Sequence, residues 1–161
     1  MKRIILVRHG KSSWEYDVAD RDRPLKERGV NDAIMVAKKF NDMPVTIDYA
    51  YSSPANRALH TATIFLRNIH FGLHQFQVTE SLYDFSGEGV KGHVKSLSDA
   101  FETILLFGHN YAFTTLANTW GDEYIDNVPT AGLVQIEFGA NSWSTVSKGR
   151  TKHILFPKQL R

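Results

Sequence analysis

The chain has 161 residues, which is long enough for one domain with its own hydrophobic core. Its net charge is only +2 and no block of lysine and arginine occurs, so nucleic acid is not expected as a partner. The absence of cysteine excludes disulfides, a thiol nucleophile and thiolate-bound zinc, and no apolar run suits a membrane span or a secretion signal. We therefore expect one cytoplasmic domain over residues 1–161, without a metal or other cofactor.

Segments typical of strands and helices alternate along the chain. The predicted elements are, in order, a strand over Lys2–Val7, a helix over Lys26–Phe40, a strand over Ile47–Tyr51, a helix over Ala55–Ile69, a short strand over Phe76–Val78, a loop over Glu80–Gly92 that overlaps a weaker helix over Val90–Ala100, a strand over Thr103–Phe107, a helix over Ala112–Thr119, strands over Leu133–Phe138 and Ser142–Ser147, and an irregular tail over Ile154–Arg161. This alternation predicts an α/β three-layer sandwich, a mostly parallel central sheet flanked by helices, with one antiparallel strand near the C-terminus.

Polar residues follow three of the predicted strands. Arg8-His9-Gly10 ends the first strand, Ser52-Ser53-Pro54 ends the second, and Gly108-His109-Asn110 ends the strand at Thr103–Phe107. In parallel sheets, ligands bind beyond the carboxyl ends of the strands. If these strands are neighbours, their loops converge in one crevice, close to Arg57 in the first turn of the following helix.

Two arginines and two histidines around one point suit a phosphate dianion. Arginine stays charged and forms bidentate hydrogen bonds to phosphoryl oxygens. The dipole of the helix N-terminus beside Arg57 also attracts an anion. A histidine between such cations is disfavoured as imidazolium and therefore stays neutral and nucleophilic, while a second histidine donates to the phosphoryl oxygens. The pattern predicts phosphoryl transfer through a phosphohistidine intermediate, without a metal.

Four blocks of sequence, in order along the chain, resemble the signatures of the histidine phosphatase (phosphoglycerate mutase-like) superfamily. The blocks are Arg8-His9-Gly10 with Lys11-Ser12-Ser13-Trp14, Asp22-Arg23-Pro24-Leu25 with Gly29 and Ala33, Ser53-Pro54 with Arg57-Ala58 and Thr61-Ala62, and Gly108-His109-Asn110. The short chain is most similar to the small single-domain phosphohistidine phosphatase branch. The resemblance implies a phosphoglycerate mutase-like fold, His9 as the nucleophile, and a phosphate pocket formed by Arg8, Arg57 and His109.

The surroundings of the signature residues suggest further contacts. In mutase-like relatives an asparagine often takes the place of Glu15 and contacts phosphate. Because an anionic Glu15 cannot do this, Asn110 is a candidate replacement, and Ser12 is a further candidate substrate ligand. Lys11, Arg21 and Arg23 could steer an anionic substrate, but we expect them to be isolated surface charges, with Arg23 paired to Asp20 or Asp22. Trp14 either forms a wall of the pocket or anchors its loop.

The inferred substrate class depends on whether the chain provides a proton donor for the leaving group. Mutase-like enzymes carry a glutamate for this purpose, and the nearest candidates here are Asp84 and Glu80. An alkoxide leaving group needs a positioned acid worth about 10²–10⁴ in rate. Phosphohistidine can leave as neutral imidazole, whose pKa is about 6.5, so that solvent can supply the proton.

We therefore expect a hydrolase that removes phosphate from phosphohistidine in proteins. Two alternatives stay open at this point. One is a broad small-molecule phosphomonoesterase that acts on phosphate esters with Asp84 or Glu80 as acid, and the other is a non-catalytic phosphoprotein-binding module. The partner is accordingly a phosphorylated protein or a small phosphate ester.

Overall fold

The computed structural model describes residues 1–161 and contains a six-stranded sheet with helices on both faces. The strands are β1 (Lys2–Arg8), β2 (Tyr49–Ser52), β3 (Phe76–Val78), β4 (Thr103–Gly108), β5 (Leu133–Phe138) and β6 (Arg150–Leu155). The helices are α1 (Glu27–Asn41), α2 (Asn56–Asn68), α3 (Glu88–Lys95), α4 (Ala112–Trp120) and α5 (Pro157–Leu160). No helix is long and apolar enough to cross a membrane.

The strand order is β3-β2-β4-β1-β5-β6. Strands β1 to β4 run parallel to one another, β5 is antiparallel to β1, and β6 is antiparallel to β5. Strand β5 is therefore the one strand that runs against the other five. This confirms the predicted α/β sandwich with a mostly parallel sheet and one antiparallel strand.

The central strands are apolar along their whole length because both faces of the sheet are covered. In β1, Ile4 and Leu6 pack into the cluster formed with α3 and α4, whereas Ile5 and Val7 pack into the cluster formed with α1 and α2. Every residue of β4 is buried. These two cores hold β1 and β4 side by side, so the loops that follow them lie next to each other.

The C-terminal part of the chain corrects two predictions. Ser142–Ser147 is not a strand, because Trp143 lies in a short 3₁₀ turn with its ring buried and its Nε1 donating to the carbonyl of Phe101. The last strand is β6 instead, a half-exposed edge strand whose polar sequence lacks the pattern of a core strand. The tail is also ordered: α5 packs against α1, and Arg161 donates to Asp32 at 2.8 Å.

The segment between β3 and β4 divides differently from the prediction. A 3₁₀ turn over Glu80–Leu82 buries Leu82, and α3 begins at Glu88 and ends at Lys95. The predicted loop over Glu80–Gly92 therefore contains the first turns of a helix. Asp84 caps this helix, since its carboxylate accepts the backbone N–H groups of Gly87 and Val90, both at 3.0 Å.

Candidate active site

The three polar loops meet at the carboxyl edge of the sheet. Strands β2, β4 and β1 are adjacent, so Ser53, His109 and His9 follow one another across this edge. The imidazole rings of His9 and His109 have their centroids 5.3 Å apart. Arg57, in the first turn of α2, lines the same cavity as Arg8 and His9. The structure thus brings together the four residues that the sequence analysis placed in one crevice.

The cavity beside His9 has a volume of about 250 Å³ and a strongly cationic wall. Its lining residues are Arg8, His9, Lys11, Ser12, Trp14, Asp20, Arg23, Arg57, Phe85, Asn110 and Thr130. Four of these carry a positive charge and Asp20 is the one carboxylate among them. The excess of positive charge favours an anionic ligand.

Close backbone packing holds the loop that carries His9. A Cβ on Gly10 would lie 2.6 Å from the carbonyl oxygen of Gly29, and a Cβ on Gly29 would lie 2.3 Å from that of Lys11. Only glycine fits at these two positions, which are both in the blocks quoted above. The N–H of Gly10 also donates to Oγ1 of Thr61 at 2.9 Å, which ties the loop to α2.

The contacts of His9 define its tautomer. Its Nδ1 lies 2.7 Å from the carbonyl oxygen of Gly10, and because a carbonyl can only accept, Nδ1 carries the proton. The lone pair is therefore on Nε2. Burial lowers the pKa of His9 well below its ordinary value. The bond to Gly10 raises the pKa, whereas the electrostatic effects of His109, Arg8 and Arg57 lower it further. His9 is thus a neutral base with a free Nε2.

His109 lies buried behind His9, against the rings of Tyr83 and Phe85. Its Nε2 is 2.8 Å from Oγ of Ser53, which itself accepts the N–H of Ala55. In the tautomer in which the Ser53 hydroxyl donates to Nε2, the ring proton is on Nδ1. This Nδ1 is buried without a partner. Burial, followed by the charge of Arg57, lowers the pKa of His109 to about 3, so the ring is neutral.

Two arginines beside the cavity also have unpaired donors. Nε of Arg8 and Nε of Arg23 are both buried without a hydrogen-bond partner. Arg8 is held through Nη1, which donates to the carbonyl of Val128 at 2.9 Å. Burial and the neighbouring charge of Arg57 lower the pKa of Arg8. Both arginines line the cavity, where an anion can accept from them, whereas His109 lies against His9 without lining the cavity.

Arg57 differs because the chain provides its partner. Its Nη1 donates to the carbonyl of Asp20 at 2.6 Å, and its Nη2 donates to the carboxylate of Asp20 at 3.0 Å. Oη of Tyr83 donates to the same carboxylate at 2.5 Å. Burial raises the pKa of Asp20, but the bonds from Tyr83 and Arg57 and the nearby guanidiniums outweigh it, so the pKa lies below its ordinary value.

Arg23 was expected at the surface, and this prediction was wrong. The side chain is buried, lines the cavity, donates through Nη2 to Oγ of Ser12, and lies 3.4 Å from the ring centroid of Trp14. The expected pairing with Asp20 is present only as a 3.9 Å contact. Arg23 belongs to the second block of the family resemblance, which was the available signal. The sequence suggested Asp20 only as a partner of Arg23, not of Arg57.

The comparisons with known proteins agree with this arrangement. Residues 4–100 match the histidine phosphatase superfamily (branch 1). The chain belongs to this superfamily. The protein histidine phosphatase SixA, solved with tungstate, has a similar fold, with a TM-score of 0.82, 18% identity and coverage of 99% of both chains. A SixA-type protein of Agrobacterium tumefaciens has a TM-score of 0.78 and 22% identity, and covers 96% of this chain and 97% of its own.

A sequence relative extends the family match. The uncharacterised protein MT1313 of Mycobacterium tuberculosis is 25% identical over 154 residues, which cover 89% of this chain and 93% of that protein. The solved structures are too dissimilar in sequence to show more than the fold. The fold of this histidine phosphatase family member is therefore phosphoglycerate mutase-like, as expected from the sequence.

Neither expected proton donor of this histidine phosphatase family member lines the cavity. Hydrogen bonds from Val90, Ser86 and Gly87 outweigh burial, which acts in the opposite direction, and lower the pKa of Asp84. Glu80 forms a two-pronged ion pair with Arg21, at 2.9 and 2.5 Å, which lowers its pKa. Both carboxylates are thus charged and engaged elsewhere, contrary to an acid role for Asp84 or Glu80.

Asn110 and Ser12 both line the cavity but differ in what they can offer. The Asn110 amide nitrogen donates to Oδ1 of Asn127 at 2.8 Å, and its oxygen accepts from the backbone and hydroxyl of Thr114. The amide is therefore occupied, which corrects the expectation of a free phosphate donor. Ser12 accepts from Arg23 and keeps its hydroxyl proton for another partner.

Proposed function

We propose that the chain, as one histidine phosphatase domain over residues 1–161, removes phosphate from phosphohistidine in proteins through an intermediate on His9. The observation that carries the proposal is a group of buried nitrogen atoms without a hydrogen-bond partner near His9: Nε of Arg8 and Nε of Arg23, which belong to cavity-lining residues, and Nδ1 of His109, whose ring packs against that of His9. Each such donor costs about 1–3 kcal/mol when nothing accepts from it. A phosphoryl group supplies acceptor oxygens for all of them.

Binding begins at Arg57. A phosphoryl oxygen replaces the Asp20 carboxylate on the guanidinium, which returns this carboxylate to solvent, where it is already half-exposed. The other oxygens accept from Arg8, Arg23, the hydroxyl of Ser12 and Nδ1 of His109. These donors are fixed before the reaction, so they stabilise the charge that develops on the phosphoryl oxygens without reorganisation.

The first transfer forms a bond between Nε2 of His9 and phosphorus. The bond between phosphorus and the substrate nitrogen breaks, and its electron pair goes to the leaving ring. If the other nitrogen of this ring carries a proton, the ring departs as neutral imidazole. His9 then has phosphorus on Nε2 and its proton on Nδ1, still directed to the carbonyl of Gly10.

In the second transfer, the phosphoryl group moves from His9 to water. Water attacks phosphorus, the bond to Nε2 of His9 breaks, and the water loses a proton to solvent as inorganic phosphate forms. Because Nδ1 keeps its proton, His9 also leaves as neutral imidazole. The bond to Gly10 thereby returns the same tautomer after each turnover.

The leaving group that the site can accommodate depends on whether a nearby carboxyl group can donate a proton. Asp84 caps α3, Glu80 is paired with Arg21, and Asp20 is held as an anion by Arg57 and Tyr83. None of the three offers a proton to an alkoxide at neutral pH. A phosphohistidine needs no such acid, which favours it over an ordinary alkyl phosphate.

The test measures phosphate release from a histidine-containing phosphocarrier protein phosphorylated with phosphoramidate, beside a panel of alkyl and aryl phosphates, with chelator present. We expect fast release from the phosphoprotein and a loss of at least about 10³-fold in His9→Ala. His60→Ala, which removes an exposed histidine of α2, is the matched control and keeps the activity. Acid-labile labelled phosphate should be found on the wild type and on His60→Ala, and not on His9→Ala.

Two outcomes would overturn the proposal. Turnover of esters without the phosphoprotein would indicate a small-molecule phosphomonoesterase, and the rates of Asp84→Asn and Glu80→Gln would then identify its acid. A stable complex with the phosphoprotein and no release would indicate a binding module.

A further inference from the structure

The mouth of the His9 cavity is surrounded by exposed apolar side chains. Trp14, Phe85, Tyr16, Tyr111 and Tyr124 have between 46% and 81% of their surface exposed, and Val18 is exposed as well. We call these six residues the aromatic rim. Single exposed apolar side chains are normal on protein surfaces, but a group of them beside one cavity is a candidate interaction surface.

The rim residues belong to chain segments that also contribute lining residues to the cavity. Trp14 and Phe85 line the cavity themselves. Tyr16 and Val18 lie in the loop between Trp14 and Asp20, both of which are lining residues.

Two further rim residues are tyrosines in and near the loop that carries Asn110. Tyr111 follows the lining residue Asn110, and its hydroxyl donates to the carbonyl of Asp126 at 2.9 Å. The hydroxyl of Tyr124 reaches the carboxylate of the same Asp126 at 3.3 Å. Whatever substrate places its phosphoryl group beside His9 therefore covers part of the rim.

The size of the cavity indicates how much of the substrate lies outside it. A volume of about 250 Å³ is below the roughly 300–1,000 Å³ of pockets that enclose a whole small-molecule ligand. The cavity can take a phosphoryl group and the ring attached to it. The rest of the substrate must lie on the rim.

The area of the rim indicates a partner larger than a metabolite. With about 150–250 Å² for each aromatic side chain, the exposed fractions amount to roughly 600 Å² of apolar surface. A standard protein interface buries about 800 Å² on each partner, and its centre is enriched in tryptophan, tyrosine and phenylalanine. The rim thus resembles the centre of a protein interface in both area and composition.

We propose that the aromatic rim is the docking surface for a folded protein that presents its phosphohistidine from an apolar patch. This inference rests on the proposed function and adds how the protein substrate is recognised. The apolar patch of the partner covers the rim, while its phosphorylated ring enters the cavity. Recognition of the protein is thereby separated from the chemistry at His9.

The test uses Tyr16→Ala and Tyr124→Ala, singly and together, because both side chains belong to the rim but not to the cavity wall. We expect the double variant to raise KM for the phosphocarrier protein about tenfold or more, as the loss of aromatic contacts does at interfaces. Its turnover of phosphoramidate, which fits inside the cavity, stays within about twofold of the wild type. Leu73→Ala removes an exposed leucine at the amino end of β3 and is the matched control with unchanged KM.

Three results would contradict the docking role. An unchanged KM for the phosphocarrier in the double variant would show that the rim is not used. An equal loss on naphthyl phosphate would show that the rim holds an apolar small molecule instead. An equal loss on phosphoramidate would show a disturbed cavity. Absence of phosphocarrier turnover in the wild type would overturn the proposed function itself, which keeps the two failures distinguishable.

Discussion

The two sides of the His9 cavity satisfy their arginines in different ways. On one side, Arg57 has a full set of partners from the chain itself, because Asp20 supplies both a carbonyl and a carboxylate. On the other side, Arg8 and Arg23 each keep a buried donor without a partner, and so does His109. The first side is complete without a ligand, whereas the second is complete only with an anion.

This difference indicates how the site combines folding with binding. Buried donors without acceptors destabilise a protein, so their presence at one place needs an explanation. Arg8 and Arg23 line the cavity beside His9, and the ring of His109 packs against that of His9. Asp20, on a turn at the surface, neutralises part of the remaining positive charge until a phosphoryl group replaces it. The predictions below test each side separately.

The largest effect is expected from Arg8. Arg8→Ala should lower kcat/KM for the phosphoprotein about 10²–10³-fold, since a fixed donor to the transition state is lost. Its free energy of unfolding should change by less than about 1 kcal/mol, because the guanidinium is only partly paired in the free protein. Steady-state phosphate release and urea unfolding measure the two quantities.

Arg57→Ala is the matched variant from the other side. It should lose a similar factor in kcat/KM, but it also leaves the Asp20 carboxylate without its guanidinium partner. We expect it to be about 1 kcal/mol less stable than Arg8→Ala, a modest figure because Asp20 is half-exposed. Equal stability of the two variants would remove the distinction between the two sides.

A second effect concerns pH and His109. The pKa of His109 is about 3 in the folded protein and near its ordinary value of 6.5 in the unfolded chain. Below pH 6.5 the unfolded chain therefore binds a proton that the folded protein does not, and stability decreases as the pH falls. The slope contributed by one such group approaches about 1.4 kcal/mol per pH unit.

His109→Gln separates this contribution from other titrating groups. Glutamine does not titrate and can keep a hydrogen bond to Ser53. Between pH 6.5 and pH 5, the free energy of unfolding should therefore decrease by up to about 2 kcal/mol less in the variant than in the wild type. Urea unfolding at the two pH values measures the difference. Parallel losses in both proteins would show that His109 is not held neutral by the fold.

The smallest effect is expected at Asp20. Asp20→Asn removes the one carboxylate that competes with an entering anion for Arg57. Inhibition by inorganic phosphate or vanadate should become stronger by about three- to tenfold at low salt, and by less at high salt. Asp22→Asn on the same turn is the control, because Asp22 does not line the cavity. Weaker inhibition in Asp20→Asn would mean that Asp20 positions Arg57 instead of competing for it.

The strands and the loops that follow them were predictable because their signals are local. Continuous apolar runs identified β1 and β4, and polar residues marked where each strand ends. Strand β6 was missed because it lies at the edge of the sheet, where neither burial nor alternation is imposed on its sequence. The turn at Trp143 was mistaken for a strand, because tryptophan, threonine and valine are residue types that are common in strands.

The residues that could form a phosphate site were evident from the amino-acid sequence, because Arg8, His9, Arg57 and His109 follow strand ends or begin a helix. The partners of these residues were not evident from the sequence, because those contacts join distant parts of the chain. Asp20 is 37 residues from Arg57, and Glu80 is 59 residues from Arg21. Only the packing of the turn at Asp20 over α2 shows that Arg57 is already paired, that Arg23 is buried, and that Glu80 is engaged with Arg21. Side-chain contacts of this kind depend on the relative positions of whole elements, which no local pattern encodes.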